Sequence, residues 1–153
     1  MLRISQTNGE IKRLIETAEM AWFEVFYSAD TNKVIYVNGR EYYRLPLRFS
    51  TKAKVLAYFR QYWGITMSSL MFRNLITVTK NGRLYVVAGD TGPLPIFPRQ
   101  VTVTSRTDTR IRVTAALSIV PESDDEILMV RYVISKSGTR LIILNRNQKE
   151  MMP

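Results

Sequence analysis

The first pattern along the chain is a helical one that covers residues 7–29. Apolar side chains recur there at intervals of three and four residues, and this spacing places them on one face of an α-helix. Thr7 and Glu10 have the spacing of a capping box, which satisfies free amide groups at a helix start. We therefore expect an amphipathic first helix. Its apolar positions are Ile11, Leu14, Ile15, Ala18, Ala21, Trp22, Phe26 and Ala29.

A second helical stretch lies within residues 51–75. Ser50 and Thr51 are both residue types that cap helix N-termini. The positions that share one helical face are Val55, Leu56, Phe59 and Trp63. Gly64 is the residue type that commonly follows the last turn of a helix. We expect one helix to end there and a short further helix to follow it.

The remaining elements are predicted to be strands in antiparallel hairpins. The dipeptide Asn38-Gly39 lies between two β-rich runs and favours a two-residue type I′ turn, so residues 33–46 are predicted to form a hairpin. From residue 76 the apolar period becomes two, which is typical of strands with one buried face. We expect an antiparallel sheet over residues 76–145. In its second hairpin the positions expected on one solvated face are Thr102, Thr104, Arg106, Arg110, Arg112 and Thr114.

These elements predict an α+β fold in a single globular domain over residues 1–153. The chain has 153 residues, of which 46% are hydrophobic, and a domain of this size buries about two-thirds of its unfolded surface. Helices come first and strands follow, which favours N-terminal helices packed on a curved antiparallel sheet. The expected architecture is a cone like that of the cystatins and of nuclear-transport-factor-like proteins.

The composition excludes most kinds of catalytic site. The chain has no cysteine and no histidine, so it lacks a thiolate nucleophile, an imidazole base and the usual nitrogen and sulfur ligands of zinc, copper and haem. Its 13 acidic residues show no spacing typical of a catalytic pair. We therefore expect no catalytic residue, no metal site and no cofactor.

The net charge of +9 indicates an anionic partner or a solvated basic face. Residues 42–89 contain no acid and eight cations: Arg44, Arg48, Lys52, Lys54, Arg60, Arg73, Lys80 and Arg83. An acidic protein surface or a polyanionic cell envelope would fit this field. Nucleic acid is disfavoured because no nucleic-acid-binding motif accompanies the charge. The later arginines, candidates for an anionic docking patch, are Arg106, Arg110, Arg112, Arg131 and Arg140.

A proline-rich loop is predicted between two strands, in the stretch AGDTGPLPIFPRQ at residues 88–100. Proline fixes φ and favours extended backbone in the residue before it, so the loop should be partly rigid. Asp90 is predicted to accept local backbone hydrogen bonds in an Asx turn. Either the loop presents apolar side chains to a partner, or Ile96 and Phe97 cover the end of the core. The candidate partner-binding residues are Gly89, Asp90, Gly92, Pro93, Leu94, Pro95, Ile96 and Phe97.

Several of these segments resemble the bacterial DL-endopeptidase inhibitor family typified by IseA. The segments are YYRLPLRFSTKAKVLAYFRQYWG, KNGRLYVVAGDTGP and the proline-rich loop, and they span about residues 34–105. The resemblance implies a non-catalytic protein that is secreted or located in the cell envelope. It also implies a partner, the catalytic domain of NlpC-type cysteine peptidases, whose active site the inhibitor blocks. Those peptidases cut the peptide stems of peptidoglycan.

Two other functional classes fit the sequence. A cone fold can bind a small ligand or act as an isomerase with a buried carboxylate beside a tyrosine, and Tyr27, Tyr36 and Tyr132 are candidates for lining such a pocket. A basic envelope protein can instead bind an anionic wall polymer, with a steep salt dependence. The sequence shows no export signal and no membrane span, so a cytoplasmic location is expected if the resemblance fails. The inhibitor or interaction module is the favoured interpretation.

Overall fold

The computed structural model describes residues 7–92, 94–120 and 128–149. Its helices are α1 (Asn8–Tyr27), α2 (Lys52–Phe59) and α3 (Ile65–Leu75), and a 3-10 turn lies at Leu47–Phe49. Its strands are β1 (Asp30–Val37), β2 (Arg40–Arg44), β3 (Thr77–Lys80), β4 (Arg83–Val87), β5 (Phe97–Arg106), β6 (Arg110–Ser118), β7 (Leu128–Ser137) and β8 (Arg140–Lys149). Within these described ranges, none of the helices is long and apolar enough to span a membrane.

The strands form two antiparallel sheets, in the orders β1-β2-β4-β3 and β5-β6-β7-β8. Together with the helices they confirm the predicted α+β class. The prediction of one continuous sheet over residues 76–145 is wrong, because β4 pairs with β2 instead of with a later strand. This pairing runs from Tyr42 opposite Val87 to Arg44 opposite Tyr85. The hairpin of β3 and β4 therefore completes the sheet that the hairpin of β1 and β2 begins.

The chain divides into two compact units. The β1–β4 unit comprises residues 20–92, and these include the first sheet with α2 and α3. Of the described residues, the β5–β8 unit comprises 7–19, 94–120 and 128–149, and these include the second sheet. Helix α1 contributes residues to both units, since the division falls after Glu19.

Helix α1 begins with one of the two bonds of the predicted capping box and a side-chain bond between the same residues. The Glu10 backbone N–H donates to Thr7 Oγ1 over 3.1 Å, and the Thr7 hydroxyl donates to Glu10 Oε1 over 3.4 Å. The fully buried positions of its apolar stripe are Ile11, Ile15, Ala18, Ala21 and Val25. The helix ends at Tyr27 rather than at residue 29, because the Ser28 backbone N–H and hydroxyl both donate to the Val25 carbonyl.

The Asn38-Gly39 turn has the predicted geometry, and the Asn81-Gly82 turn between β3 and β4 has the same geometry. Asn38 and Gly39 have φ angles of 51° and 81°, and Asn81 and Gly82 have φ angles of 52° and 75°. Positive φ at both central residues is characteristic of the type I′ turn, whose twist matches that of the paired strands. The first hairpin is confirmed, although its first strand already begins at Asp30.

Helix α2 begins as predicted and ends earlier than predicted. The Thr51 hydroxyl is its cap and accepts a backbone hydrogen bond in the first turn. The helix ends at Phe59 because the amides of Tyr62 and Trp63 both donate to the Phe59 carbonyl and turn the chain. The prediction that Gly64 ends this helix is wrong. Its backbone is extended, with φ −66° and ψ 172°, and it is the N-cap of α3.

The second sheet buries one face, as the alternation of its residues predicts. The buried β6 side chains are Ile111, Val113, Ala115 and Leu117. Of these, Ile111 lies opposite Ile134 of β7, Val113 opposite Tyr132, and Ala115 opposite Val130, and all three β7 residues are buried. The core of the β5–β8 unit is therefore a ladder of cross-strand apolar pairs.

A buried ion pair joins α1 to the second sheet within the β5–β8 unit. Glu19 is 8% exposed, and its Oε1 accepts hydrogen bonds from Tyr132 Oη over 2.8 Å and from Arg146 Nε over 2.5 Å. Tyr132 and Arg146 lie opposite each other on β7 and β8. Burial and the nearby Glu19 charge raise the pKa of Tyr132 well above its ordinary value. The phenol therefore stays protonated and remains a donor.

The three tyrosines that were candidates for lining a pocket have different surroundings. Tyr27 and Tyr36 are exposed at the surface. Tyr132 is 1% exposed, and its hydroxyl is bound to the Glu19 carboxylate. A carboxylate beside a tyrosine is thus present, as the isomerase interpretation requires. This carboxylate is also paired with Arg146 of β8 in the core.

We predict that Glu19→Ala lowers the free energy of unfolding by about 2–3 kcal/mol, because it leaves Arg146 without its anionic partner. The loss should fall short of that for a fully buried pair, since 22% of the Arg146 side chain is exposed to solvent. Urea denaturation followed by circular dichroism measures the change. Glu16→Ala, at an exposed position of the same helix, is the control and should change stability by less than about 0.5 kcal/mol. Equal effects of the two variants would contradict the role given to the ion pair.

Candidate partner-binding loop

The proline-rich loop connects β4 to β5, and backbone hydrogen bonds hold each of its ends. At the start, the Ala88 N–H donates to the Glu41 carbonyl over 2.9 Å, within the β1–β4 unit. At the end, the Ile96 N–H donates to the Ser118 carbonyl over 3.1 Å, within the β5–β8 unit. The residues between these bonds have no helical or strand structure where they are described. Both ends of the loop are therefore anchored to a sheet.

Asp90 forms the predicted Asx turn. Its Oδ1 accepts a hydrogen bond from the Gly92 backbone N–H over 2.9 Å. Gly92 has φ of 69°, in the left-handed region that glycine adopts at little cost. Gly89, which was expected to share the turning of the chain, has no positive φ. The turn at the base of the loop therefore depends on Asp90 and Gly92.

Tyr27, the last residue of α1, anchors this turn. Its hydroxyl donates to Asp90 Oδ1 over 3.1 Å and accepts a hydrogen bond from the Thr91 backbone N–H over 3.2 Å. The hydroxyl also lies 2.9 Å from Thr91 Oγ1. All of these atoms belong to the β1–β4 unit. One phenol thus contacts three groups of the turn, which we call the Tyr27–Asp90 turn.

The carboxyl of Asp90 is kept ionised by its hydrogen bonds. The bond from the Gly92 amide, and then that from the Tyr27 hydroxyl, lower the pKa of Asp90 below its ordinary value. The side chain is exposed at the surface. Asp90 is thus an exposed negative charge directly after the acid-free segment of residues 42–89.

The apolar residues of the loop differ in exposure. Leu94 is 44% exposed, whereas Pro95, Ile96 and Phe97 are half-buried. Phe97 is the first residue of β5, opposite Ser118, so it lies in a strand and not in the loop proper. Pro93 lies outside the described residues. Among the described apolar candidates, Leu94 is the one that solvent reaches most.

A small cavity lies beside the Tyr27–Asp90 turn in the β1–β4 unit. Its volume is about 80 Å³, and its lining includes Phe26, Tyr27, Tyr43 and Gly89. Pockets that hold drug-sized ligands usually have about 300–1,000 Å³. The neighbourhood of the turn therefore suits contact with a protein surface better than enclosure of a small molecule.

The candidate arginines of the second sheet lie on both of its faces. Arg110, Arg112, Arg131 and Arg140 alternate with the buried positions and are exposed. Arg106 is exposed, as expected, but it does not lie on the face of the other four. The strand register shifts between Val103 and Ser105, so that Arg106 lies opposite buried Ile111. A β-bulge adds one residue and reverses the face of every later side chain in its strand.

The four remaining arginines define a surface that we call the arginine face. Arg112 and Arg131 border a depression of about 370 Å³ whose lining also includes Thr104, Thr114 and Val133. The lining contains no acidic residue. Of the described residues, no group of three acids, histidines or cysteines is placed to hold a metal ion. The arginine face can attract anions through charge and hydrogen bonds.

Sequence reasoning identified Asp90, Gly92 and Leu94 but missed Tyr27 as part of the same site. The Asx turn is a local arrangement, and its residue types are visible in the sequence. The contact between Tyr27 and Asp90 joins residues 63 positions apart, and no spacing rule connects them. The sequence offered one signal of this contact, a tyrosine at the exposed end of an amphipathic helix.

Comparison with known proteins identifies the family. The family model of the IseA DL-endopeptidase inhibitors matches residues 4–135. The chain therefore belongs to this family, and the resemblance seen in its segments is confirmed. No curated protein sequence matches the chain. Membership gives the protein a general role as a DL-endopeptidase inhibitor and a peptidase as its partner, and it is compatible with an envelope or secreted location.

We predict that the Tyr27–Asp90 turn loosens in acid. Because the pKa of Asp90 is lowered in the folded protein, the stabilising effect of its charge is present above the usual aspartate pKa of about 3.9. That effect is lost as the pH falls through the lowered pKa. The chemical shift of the Gly92 amide, followed by NMR, should titrate with a midpoint below about 3.9. Tyr27→Phe should move the midpoint toward the ordinary value, and a wild-type midpoint at or above that value would contradict the geometry.

Proposed function

We propose that this protein inhibits NlpC-type cysteine DL-endopeptidases of the cell wall by inserting its proline-rich loop into their catalytic cleft. The residues proposed to contact the peptidase are Gly89, Asp90, Gly92, Pro93, Leu94, Pro95, Ile96 and Phe97. Family membership supports the inhibitory role, and the anchored Tyr27–Asp90 turn is the observation that supports this loop as the binding element. In this proposal the protein acts without catalysis, in the envelope or outside the cell.

The anchoring of the loop favours tight binding. A flexible segment loses conformational freedom when it is bound, at about 0.5–1.5 kcal/mol for each immobilised side chain. Tyr27 contacts the carboxylate, the amide and the hydroxyl of the turn, and Ile96 is bonded to the second sheet. The loop is therefore already largely ordered before it binds a partner.

The exposed residues of the loop suit a cleft. Leu94 offers an apolar side chain that is 44% exposed, and Asp90 offers a carboxylate that stays charged at neutral pH. Buried apolar anchors supply most of the affinity in protein interfaces, and charges contribute to orientation and specificity. Ile96 and Phe97 are half-buried, so they offer a partner less contact area than Leu94 does.

The test is an inhibition assay with a purified NlpC-type DL-endopeptidase acting on peptidoglycan. We expect stoichiometric inhibition by the wild type. The triple variant Leu94→Ala, Ile96→Ala and Phe97→Ala should lose it, and Leu94→Ala alone should weaken the inhibition constant by about tenfold, the effect of removing one apolar anchor. Leu47→Ala is the matched control, because Leu47 is 70% exposed in another part of the chain. Circular dichroism of each variant separates loss of contact from loss of fold.

The outcomes of this assay distinguish the mechanism from the function. Inhibition that the triple variant retains would contradict the loop as the binding element and leave the inhibitory function standing. An absence of inhibition by the wild type, across several such peptidases, would overturn the function proposed here.

A second function is suggested by the arginine face. The strand register collects Arg110, Arg112, Arg131 and Arg140 on the solvated face of one sheet, and the depression between two of them has no acidic lining. We propose that this face holds the protein to an anionic wall polymer. Such binding positions an inhibitor close to peptidases that act on the same wall.

Binding of poly(glycerol phosphate), measured by isothermal titration calorimetry, tests this second function. Affinity should fall by at least about tenfold between about 50 and 200 mM salt, because cations are released when arginines bind phosphates. Arg112→Ser with Arg131→Ser should reduce both the affinity and its salt dependence. Arg13→Ser, an exposed arginine of α1, should change neither. Polymer binding that is unaffected by the double variant would contradict a role for this face.

A further inference from the structure

A groove formed by residues of α2, α3 and β3 lies within the β1–β4 unit. Its volume is about 850 Å³. Its apolar lining consists of Ile65, Leu70, Phe72 and Ile76, and its cationic lining consists of Lys52 and Arg73. We call it the α3 groove. None of these residues belongs to the proline-rich loop or to the arginine face.

The α3 groove exposes large apolar side chains. Ile65 is 70% exposed, Leu70 is 38% exposed and Ile76 is 43% exposed. All three line the same groove, so they form one patch and are not scattered singly over the surface. Clustered exposed apolar residues of this kind mark interaction sites in soluble proteins.

Ile76 is held in this patch by a strained backbone. It follows the last turn of α3, and its φ is 56° with ψ of 91°. This is the position where helices commonly end in glycine or asparagine, and positive φ is rare for β-branched residues. The chain therefore keeps an exposed isoleucine where glycine would relieve strain. Strained residues of this kind cluster at functional sites.

The charges at the α3 groove have one sign. The Lys52 ammonium lies over the Phe72 ring, 5.3 Å from its centroid, which keeps the cation beside the apolar surface. Arg73 provides a second cation, and the lining contains no acid. The acid-free segment of residues 42–89 contains the whole groove. A partner that is both apolar and acidic is therefore complementary to it.

We infer that the α3 groove is a docking surface for a partner protein, through a segment whose apolar side chains are flanked by carboxylates. The apolar side chains of that segment cover Ile65, Leu70 and Ile76, and its carboxylates pair with Lys52 and Arg73. The concave shape suits a peptide segment, which can enter a groove, better than a flat lipid surface. This docking is independent of the peptidase inhibition proposed above.

The probe for this inference is a fluorescein-labelled amphipathic peptide of about 16 residues, with leucine at positions i and i+4 and glutamate on the flanking positions. The comparison peptide has lysine in place of every glutamate. Binding to the full chain is measured by fluorescence anisotropy, and the amide shifts of residues 65–77 are followed by NMR. We expect micromolar binding of the acidic peptide, shifts centred on the α3 groove, and binding of the lysine peptide that is at least tenfold weaker.

Three variants locate the binding. Ile65→Ser with Leu70→Ser removes apolar contact, and Lys52→Glu with Arg73→Glu reverses the charge, so each pair should weaken binding at least tenfold. Ile76→Gly removes the side chain and also relieves the strained backbone, so it should raise the melting temperature while it weakens binding. A merely structural role of Ile76 would not produce these opposite changes. Leu47→Ser and Lys80→Glu are matched controls at exposed positions outside the groove and should bind as the wild type does.

Four outcomes would overturn the inference. Two concern the peptides: the acidic peptide does not bind, or both peptides bind equally well. The third is that the groove variants bind the acidic peptide as well as the controls do. The fourth is that the protein binds phosphatidylglycerol vesicles in preference to the acidic peptide. The last outcome would make the groove a membrane contact. None of them affects the inhibition assay with the loop variants, so a failure here is distinguishable from a failure of the proposed function.

Discussion

The proline-rich loop depends on the contacts that the Tyr27 hydroxyl makes with its first turn. A connection between two strands has no regular hydrogen-bond ladder. Its backbone is therefore free to move unless side chains form hydrogen bonds with it. Here one phenol at the end of α1 contacts the carboxylate, the amide and the hydroxyl of the Tyr27–Asp90 turn. The same helix supplies Glu19, which is paired with Arg146 in the core of the β5–β8 unit. Helix α1 therefore contributes an anchor for the loop and an anchor for a sheet.

The protein's surfaces have different chemistry, and this separates their roles. The loop offers an exposed leucine and an ionised aspartate, the arginine face offers cations on a polar sheet, and the α3 groove offers apolar side chains beside cations. An inhibitor of wall peptidases needs one element that fits a cleft. The roles proposed for the other two surfaces are contact with wall polymer for the arginine face and contact with a further protein for the α3 groove.

Sequence reasoning succeeded where local chemistry decides the structure. The Asn-Gly turns, the capping of α1 by the Thr7 side chain and the Asx turn at Asp90 each involve residues at most three positions apart, and all of them are present. It failed where the pairing of one segment with another determines the structure. The pairing of β4 with β2 gave two sheets instead of one, and a single bulge after Val103 moved Arg106 to the other face. The contacts of Glu19 and Tyr27 join residues far apart in the chain, and no periodicity connects such residues.

The most direct test of the central claim is hydrogen–deuterium exchange of the full chain, alone and in complex with an NlpC-type catalytic domain. If the loop enters the catalytic cleft, the amides of Asp90, Thr91, Leu94 and Ile96 should exchange much more slowly in the complex than in the free protein. The amides at the Asn81-Gly82 turn should be unchanged. Unaltered exchange throughout the loop, in a complex that inhibits the peptidase, would contradict the account.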